Sequence, residues 1–64
     1  MIELGIYQED NHDYWNVFND MGNGYYEVHW YNSEMTNKLH EIDIKKMKKL
    51  NKLETIKFIL KYRV

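Results

Sequence analysis

The apolar positions of this chain follow a period of two in its first half and a period nearer three and a half in its middle. Ile2, Leu4 and Ile6 alternate with Glu3, Gly5 and Tyr7, which predicts a short strand over 2–7. Residues 8–13 are polar and read as a loop. Alternation resumes over 14–18, with Trp15 and Val17 on one face and Tyr14 and Phe18 on the other. Asp20, Met21, Gly22, Asn23 and Gly24 form the clearest turn, because Gly and Asn tolerate positive φ. The strongest strand follows over 25–31. It directs Tyr26, Val28 and Trp30 toward a core and Tyr25, Glu27, His29 and Tyr31 away from it.

Residues 32–37 read as a polar connection. Over 40–50 the spacing predicts a helix, with Ile44, Met47 and Leu50 on one stripe, Ile42 near its edge and Lys45, Lys46, Lys48 and Lys49 outside. Glu41 and Asp43 in the first turn and lysines later suit the helix dipole, and Asn51 supplies a C-terminal stop. The last segment has two readings. As a helix, Leu53, Ile56 and Leu60 make a stripe; as a strand, Ile56, Phe58, Leu60, Tyr62 and Val64 alternate with Lys57, Ile59, Lys61 and Arg63. Five bulky residues at period two favour the strand. The expected fold is α+β. It has a three-stranded antiparallel sheet with one helix packed on a face, a short extra N-terminal strand, and a single domain over 1–64.

Charge changes this picture more than length does. Residues 1–34 hold seven acids and no Lys or Arg, whereas 35–64 hold nine Lys/Arg against three acids. A net charge of −1 therefore conceals a strong separation of sign. Eight of the ten aromatic residues also lie in the acidic half, so carboxylates are interleaved with Tyr and Trp. Such a surface offers charge and flat apolar area together, and suits gripping a protein that itself grips nucleic acid.

A chain of 64 residues buries only about 60% of its unfolded surface, so its core is marginal without reinforcement. The absence of Cys excludes disulfides and thiolate metal sites, and His12, His29 and His40 lack the spacing of metal ligands. Self-association remains, and a homodimer is expected. No apolar run is long enough to span a membrane, and the start of the chain lacks a basic leader region, so the expected location is the cytoplasm. There is no nucleophile elbow or phosphate-binding loop. Glu9, Asp10 and Asp13 lack calcium-loop spacing, and His29 two residues from Glu27 has no nucleophile beside it. The chain is therefore expected to be no enzyme and to need neither cofactor nor metal.

Tyr25-Tyr26-Glu27-Val28-His29, following the Gly turn, resembles a strand of the small dimeric uracil-DNA glycosylase inhibitors of tailed Bacillus phages, which are DNA mimics. Leu39-His40-Glu41-Ile42-Asp43-Ile44 is similar to the helix start of that family, with Ile42 where the family has Phe. Glu54-Thr55-Ile56-Lys57-Phe58-Ile59-Leu60 is similar to its closing apolar and basic strand. The three segments occur in the family's order over residues 13–64. The resemblance implies a homodimer that fills the DNA-binding groove of host uracil-DNA glycosylase. Its carboxylates would replace phosphates, and an apolar notch at the dimer interface would hold the residue that the enzyme pushes into DNA. It also implies that the helix lysines face away from the enzyme, and the 30–38 stretch is an insertion relative to the family.

The candidate partner-binding residues are Glu27, flanked by Tyr25 and His29, together with Glu41, Ile42 and Asp43; no catalytic or metal residue is assigned. Asp10, Asp13 and Asp20 read first as solvated loop acids. Ile42 belongs either to the core stripe or to the partner contact, and Ile59 is a candidate dimer contact. Two rival readings stand beside the inhibitor. One is nucleic-acid binding through the lysine-rich segment, and the other is inhibition of a different phage-defence enzyme.

Overall fold

Alternation in the hairpin is satisfied by burial. Val17 faces Val28 across the two strands, and both side chains are fully shielded from water. In this computed structural model, which describes residues 2–10, 13–31, 33 and 35–62, the hairpin is the centre of a five-stranded antiparallel sheet. The elements are β1 (Gly5–Gln8), β2 (Tyr14–Asp20), β3 (Tyr25–Trp30), β4 (Thr36–His40), α1 (Glu41–Lys45), β5 (Lys48–Lys49) and α2 (Lys52–Tyr62). The spatial order of the strands is β4-β3-β2-β1-β5. The class is α+β, as expected, but with five strands rather than three and with its long helix at the C-terminal end.

Each face of the sheet has its own core. Tyr7, Val17, Tyr26 and Val28 pack with Ile44 of α1 on the first face, with Ile2, Trp15, Leu39 and Met47 around them. Ile6 packs with Leu50 and Phe58 of α2 on the second, beside Tyr14 and Tyr31. Neighbouring residues of a strand point to opposite faces, so Ile6 and Tyr7 serve different cores. Four rings close the second core: Phe58 lies 4.7 Å from Tyr14 and 4.8 Å from Tyr62, and Tyr31 lies 5.2 Å from Tyr62. No buried side-chain polar atom among the described residues lacks a hydrogen-bond partner.

Several expectations are corrected. The N-terminal strand begins at Gly5, not residue 2, and takes in Gln8; Ile2 instead packs on the first core, its N–H donating to Tyr26 Oη at 3.3 Å. The polar connection over 32–37 gives way to β4 at Thr36, which pairs with β3 from Tyr25↔His40 to His29↔Thr36. Only Leu39 of β4 packs into a core, so the edge strand carries almost no hydrophobic signal. Asn32 and Glu34 of that connection lie outside the described residues.

The helix expected over 40–50 ends at Lys45. The reason is that its supposed stripe is divided between the two faces: Ile44 and Met47 enter the first core, and Leu50 the second. A single helix cannot reach both sides of a sheet. The chain instead turns, pairs β5 with the edge of β1, and Leu50 N–H donates to Ile6 O at 2.9 Å. His40 starts α1 as its N-cap, its Nδ1 accepting from Ile42 N–H at 3.1 Å.

Where a strand was expected over 54–64, the described residues 54–62 are helical, and Asn51 begins this helix rather than ending the previous one. Asn51 Oδ1 accepts from Glu54 N–H at 2.8 Å, while Glu54 Oε1 accepts from Asn51 N–H at 3.0 Å. This reciprocal pair is a capping box, and it satisfies two backbone donors that the first turn would otherwise leave unpaired. The Asn-x-x-Glu spacing that signals it was present at 51–54. Arg63 and Val64, included in the strand reading, lie outside the described residues.

Replacing Asn51 by Ala is expected to lower stability by about 1 kcal/mol in a denaturant titration, the usual value of an N-cap. Glu54 has its pKa held below the ordinary carboxylate value by the Asn51 N–H and by Lys48, 3.0 Å away. A depressed folded-state value stabilises the fold above the unfolded pKa, about 4.3, and that contribution disappears as pH falls through the folded value. Thermal melts of Glu54→Gln should therefore change less than wild type between neutral and acidic pH.

Candidate functional site

The second face of the sheet is only partly covered. α2 shields Ile6, Tyr14 and Tyr31, and the portion built by β2, β3 and β4 is left toward solvent. Tyr25, Glu27 and His29 all point to this side, because they alternate with the buried Tyr26 and Val28. The structure thus brings these three predicted residues together on one outward surface.

Neighbours on the flanking strands orient them. Asn19 Nδ2 donates to Glu27 Oε1, and Lys38 stands opposite Glu27 in the β3–β4 register. Lys38 also places its Nζ 5.9 Å from the centre of the Tyr25 ring. His29 Nε2 lies 3.0 Å from Thr36 Oγ1, and its ring sits 4.6 Å from that of Phe18. Phe18 occupies the register shift between Val17 and Asn19, a bulge that leaves it facing His29 rather than a backbone partner. Phe18, Asn19, Thr36 and Lys38 were not assigned to the site from sequence. The last two belong to the edge strand read as a connection, and the bulge has no local sequence signal.

Glu41, Ile42 and Asp43 stand apart from this face. They belong to α1, whose Ile44 is buried against the opposite side of the sheet. They reach the same end of the molecule as the hairpin turn, since Glu41 N–H donates to Gly24 O at 2.8 Å. At that turn Gly22 and Gly24 have φ of 84° and 87°, and a Cβ on Gly24 would come 3.1 Å from His40 Nε2. Glycine at 24 therefore lets His40 settle both against the turn and edge-on to Tyr25, with ring centres 4.9 Å apart. The predicted six residues thus occupy two adjoining surfaces, one on the sheet and one on its rim. Ile42 is 60% exposed, which resolves its two readings against the core. Ile59 lies on α2, remote from both surfaces in the chain's order and exposed to solvent.

Charge remains sorted in three dimensions. The strands β2, β3 and β4 carry Asp20 and Glu27 with Lys38 as their one lysine. Lys45, Lys46, Lys48, Lys49, Lys52, Lys57 and Lys61 lie on α1's end, β5 and α2. Part of this lysine placement has a structural reason, because lysines on short edge strands such as β5 discourage pairing with another sheet. A depression of about 220 Å³ opens beside α2, where Lys57 and Lys61 meet Gln8, Tyr14 and Tyr62. It lies among the lysines, not beside Glu27.

Among the described residues no group of three or more His, Asp or Glu is placed to hold a metal ion, and no helix is long and apolar enough to cross a membrane. No protein-family model, curated protein or solved structure matches this chain.

The exposure of Ile42 and the burial of Ile44 give a direct contrast. Ile44→Ala is expected to cost about 2–5 kcal/mol of stability, and Ile42→Ala less than about 0.5 kcal/mol, in parallel urea titrations.

Proposed function

We propose that this protein is an inhibitor that occupies the DNA-binding groove of a host uracil-DNA glycosylase, acting as a DNA mimic. The observation that carries the reading is the outward face on which Glu27 stands between Tyr25 and His29, with acidic residues of α1 at the adjoining rim. A glycosylase draws in DNA through a positive groove and must extrude a base to act. A rigid surface of opposite sign competes for that groove, and opposite potentials speed the encounter.

Carboxylates alone do not suffice, because an exposed ion pair contributes only about 0–1 kcal/mol. Tight inhibition needs desolvated aromatic or aliphatic anchors near the centre of contact. Tyr25 and Phe18 on the sheet face and Ile42 on the rim are exposed and adjacent to acids, so they supply candidates for that part. The resemblance of residues 25–29 and 39–44 to the phage inhibitors adds the identity of the target; the helical fold of 52–62 departs from that family's closing strand. On this reading the protein works as a homodimer in the host cytoplasm, binds no nucleic acid itself, engages no membrane and uses no cofactor.

The rival draws on the lysines of β5 and α2, which would bind duplex DNA with steep salt dependence. One experiment separates the two: purified protein is added to a bacterial uracil-DNA glycosylase and a uracil-containing oligonucleotide, alongside a gel shift on plain duplex. Loss of excision with no gel shift is expected. Undiminished excision at excess protein would remove the proposal. Glu27→Lys should abolish inhibition while moving the thermal melt little, and full potency of that variant would count against this face.

A further inference from the structure

The depression beside α2 joins an aromatic surface to a pair of lysines. Glu54, Lys57, Phe58, Lys61 and Tyr62 stand three or four residues apart, so one flank of the helix lines it. Gln8 of β1 and Tyr14 of β2 line it from the sheet. The rings are continuous: Tyr14 and Tyr62 lie 5.9 Å apart, and the centre of Phe58 is within 4.8 Å of both. Phe58 is buried, whereas Tyr62 keeps 37% of its surface open to water. The Gln8 amide and the hydroxyls of Tyr14 and Tyr62 have no hydrogen-bond partner among the described residues, so they can serve a ligand.

The charges around these rings do not cancel. Among the described residues Glu54 is the one acid lining the depression, and both of its oxygens are engaged, Oε1 by Asn51 N–H and Oε2 by Lys48 Nζ, each at 3.0 Å. Lys57 and Lys61 make no ion pair among the described residues; Lys57 acts on Glu54 only through its field. The two lysines are about 6 Å apart along the helix axis, so their flexible ammonium groups can converge on one anion. Lys61 Nζ already lies 5.4 Å from the centre of the Tyr62 ring.

We propose that this depression binds a nucleoside monophosphate, with the base against Tyr14 and Tyr62 and the phosphate between Lys57 and Lys61. Every base has a flat face that stacks on an aromatic side chain. A phosphate monoester carries a charge of about −2 at neutral pH, which the two lysines match. Apolar ligands would leave the lysines unused, and inorganic phosphate would leave the rings unused. A nucleic-acid strand fits less well, because each of its internal phosphates carries one charge and the depression is too small for successive bases. Pockets for drug-sized ligands measure about 300–1,000 Å³, so a depression of about 220 Å³ holds part of one nucleotide, and binding is weak. The inference is independent of the inhibitor reading: the depression is not beside Glu27, and its test contains no glycosylase.

Amide NMR spectra of the full chain, titrated with adenosine 5′-monophosphate, should shift Gln8, Tyr14 and residues 57–62 with a dissociation constant of about 1 mM or below. Adenosine alone and inorganic phosphate alone should each bind at least about tenfold more weakly. Lys57→Gln combined with Lys61→Gln should weaken nucleotide binding at least about tenfold and leave adenosine binding unchanged, whereas Tyr62→Leu should weaken both. Lys45→Gln combined with Lys46→Gln removes the same charge away from the depression and should change neither. All five side chains are exposed, so far-UV circular dichroism should stay that of wild type. Four outcomes would each overturn the proposal: spectra unmoved at about 10 mM nucleotide, inorganic phosphate binding as tightly as the nucleotide, an equal loss from the Lys45 and Lys46 pair, or an oligoadenylate strand that binds where the mononucleotide does not.

Discussion

The contact on which the rest of the structure depends is the burial of Ile44 against Val17 and Val28. These three side chains are the largest fully buried ones among the described residues, and they lock a one-turn helix onto the first face of the sheet. So short a helix has almost no stability of its own and exists only because packing holds it there. Its position draws the chain from the edge at β4, past the hairpin turn, and across to the opposite edge at β5. Met47 still packs against the first core, β5 joins the sheet edge, and from Leu50 on the chain lies on the second face.

That route leaves part of the second face uncovered by the described residues. α2 closes the second face only over β1 and the start of β2, through Ile6, Leu50 and Phe58. Two surfaces stay open to water among the described residues. One is the sheet face carrying Tyr25, Glu27 and His29, and the other is the outer aliphatic stripe of α2. A domain of this size has a high ratio of surface to core, so apolar groups left outside are expected. They differ in charge: on the sheet face Glu27 has Lys38 opposite it, whereas α2 carries Lys52, Lys57 and Lys61 against Glu54.

The hairpin shows what was legible in the chain and why. Residues 14–18 and 25–30 alternate, and the turn between them holds two glycines at positive φ, so strands and turn followed from local chemistry; Tyr31, read as facing away from the core, instead packs against the second one. Tyr25, Glu27 and His29 were placed correctly on one side because the period of a strand leaves no other arrangement. The same reasoning failed at 40–50, where Ile44, Met47 and Leu50 fit a helical stripe but serve two different cores. It failed again at 54–64, where the period of two was read over the Asn51–Glu54 cap. The edge strand β4 was missed because one core residue in five makes no pattern.

The sequence by itself determined the central hairpin, the sorting of charge and the outward set around Glu27, because each rests on alternation between adjacent residues or on simple order along the chain. Only the tertiary structure decided where the middle helix ends, that the last segment is helical, and that Glu41, Ile42 and Asp43 stand on a rim rather than on the sheet face. Those outcomes depend on which side of the sheet Ile44 and Leu50 enter, and no local periodicity records the side from which a core is reached.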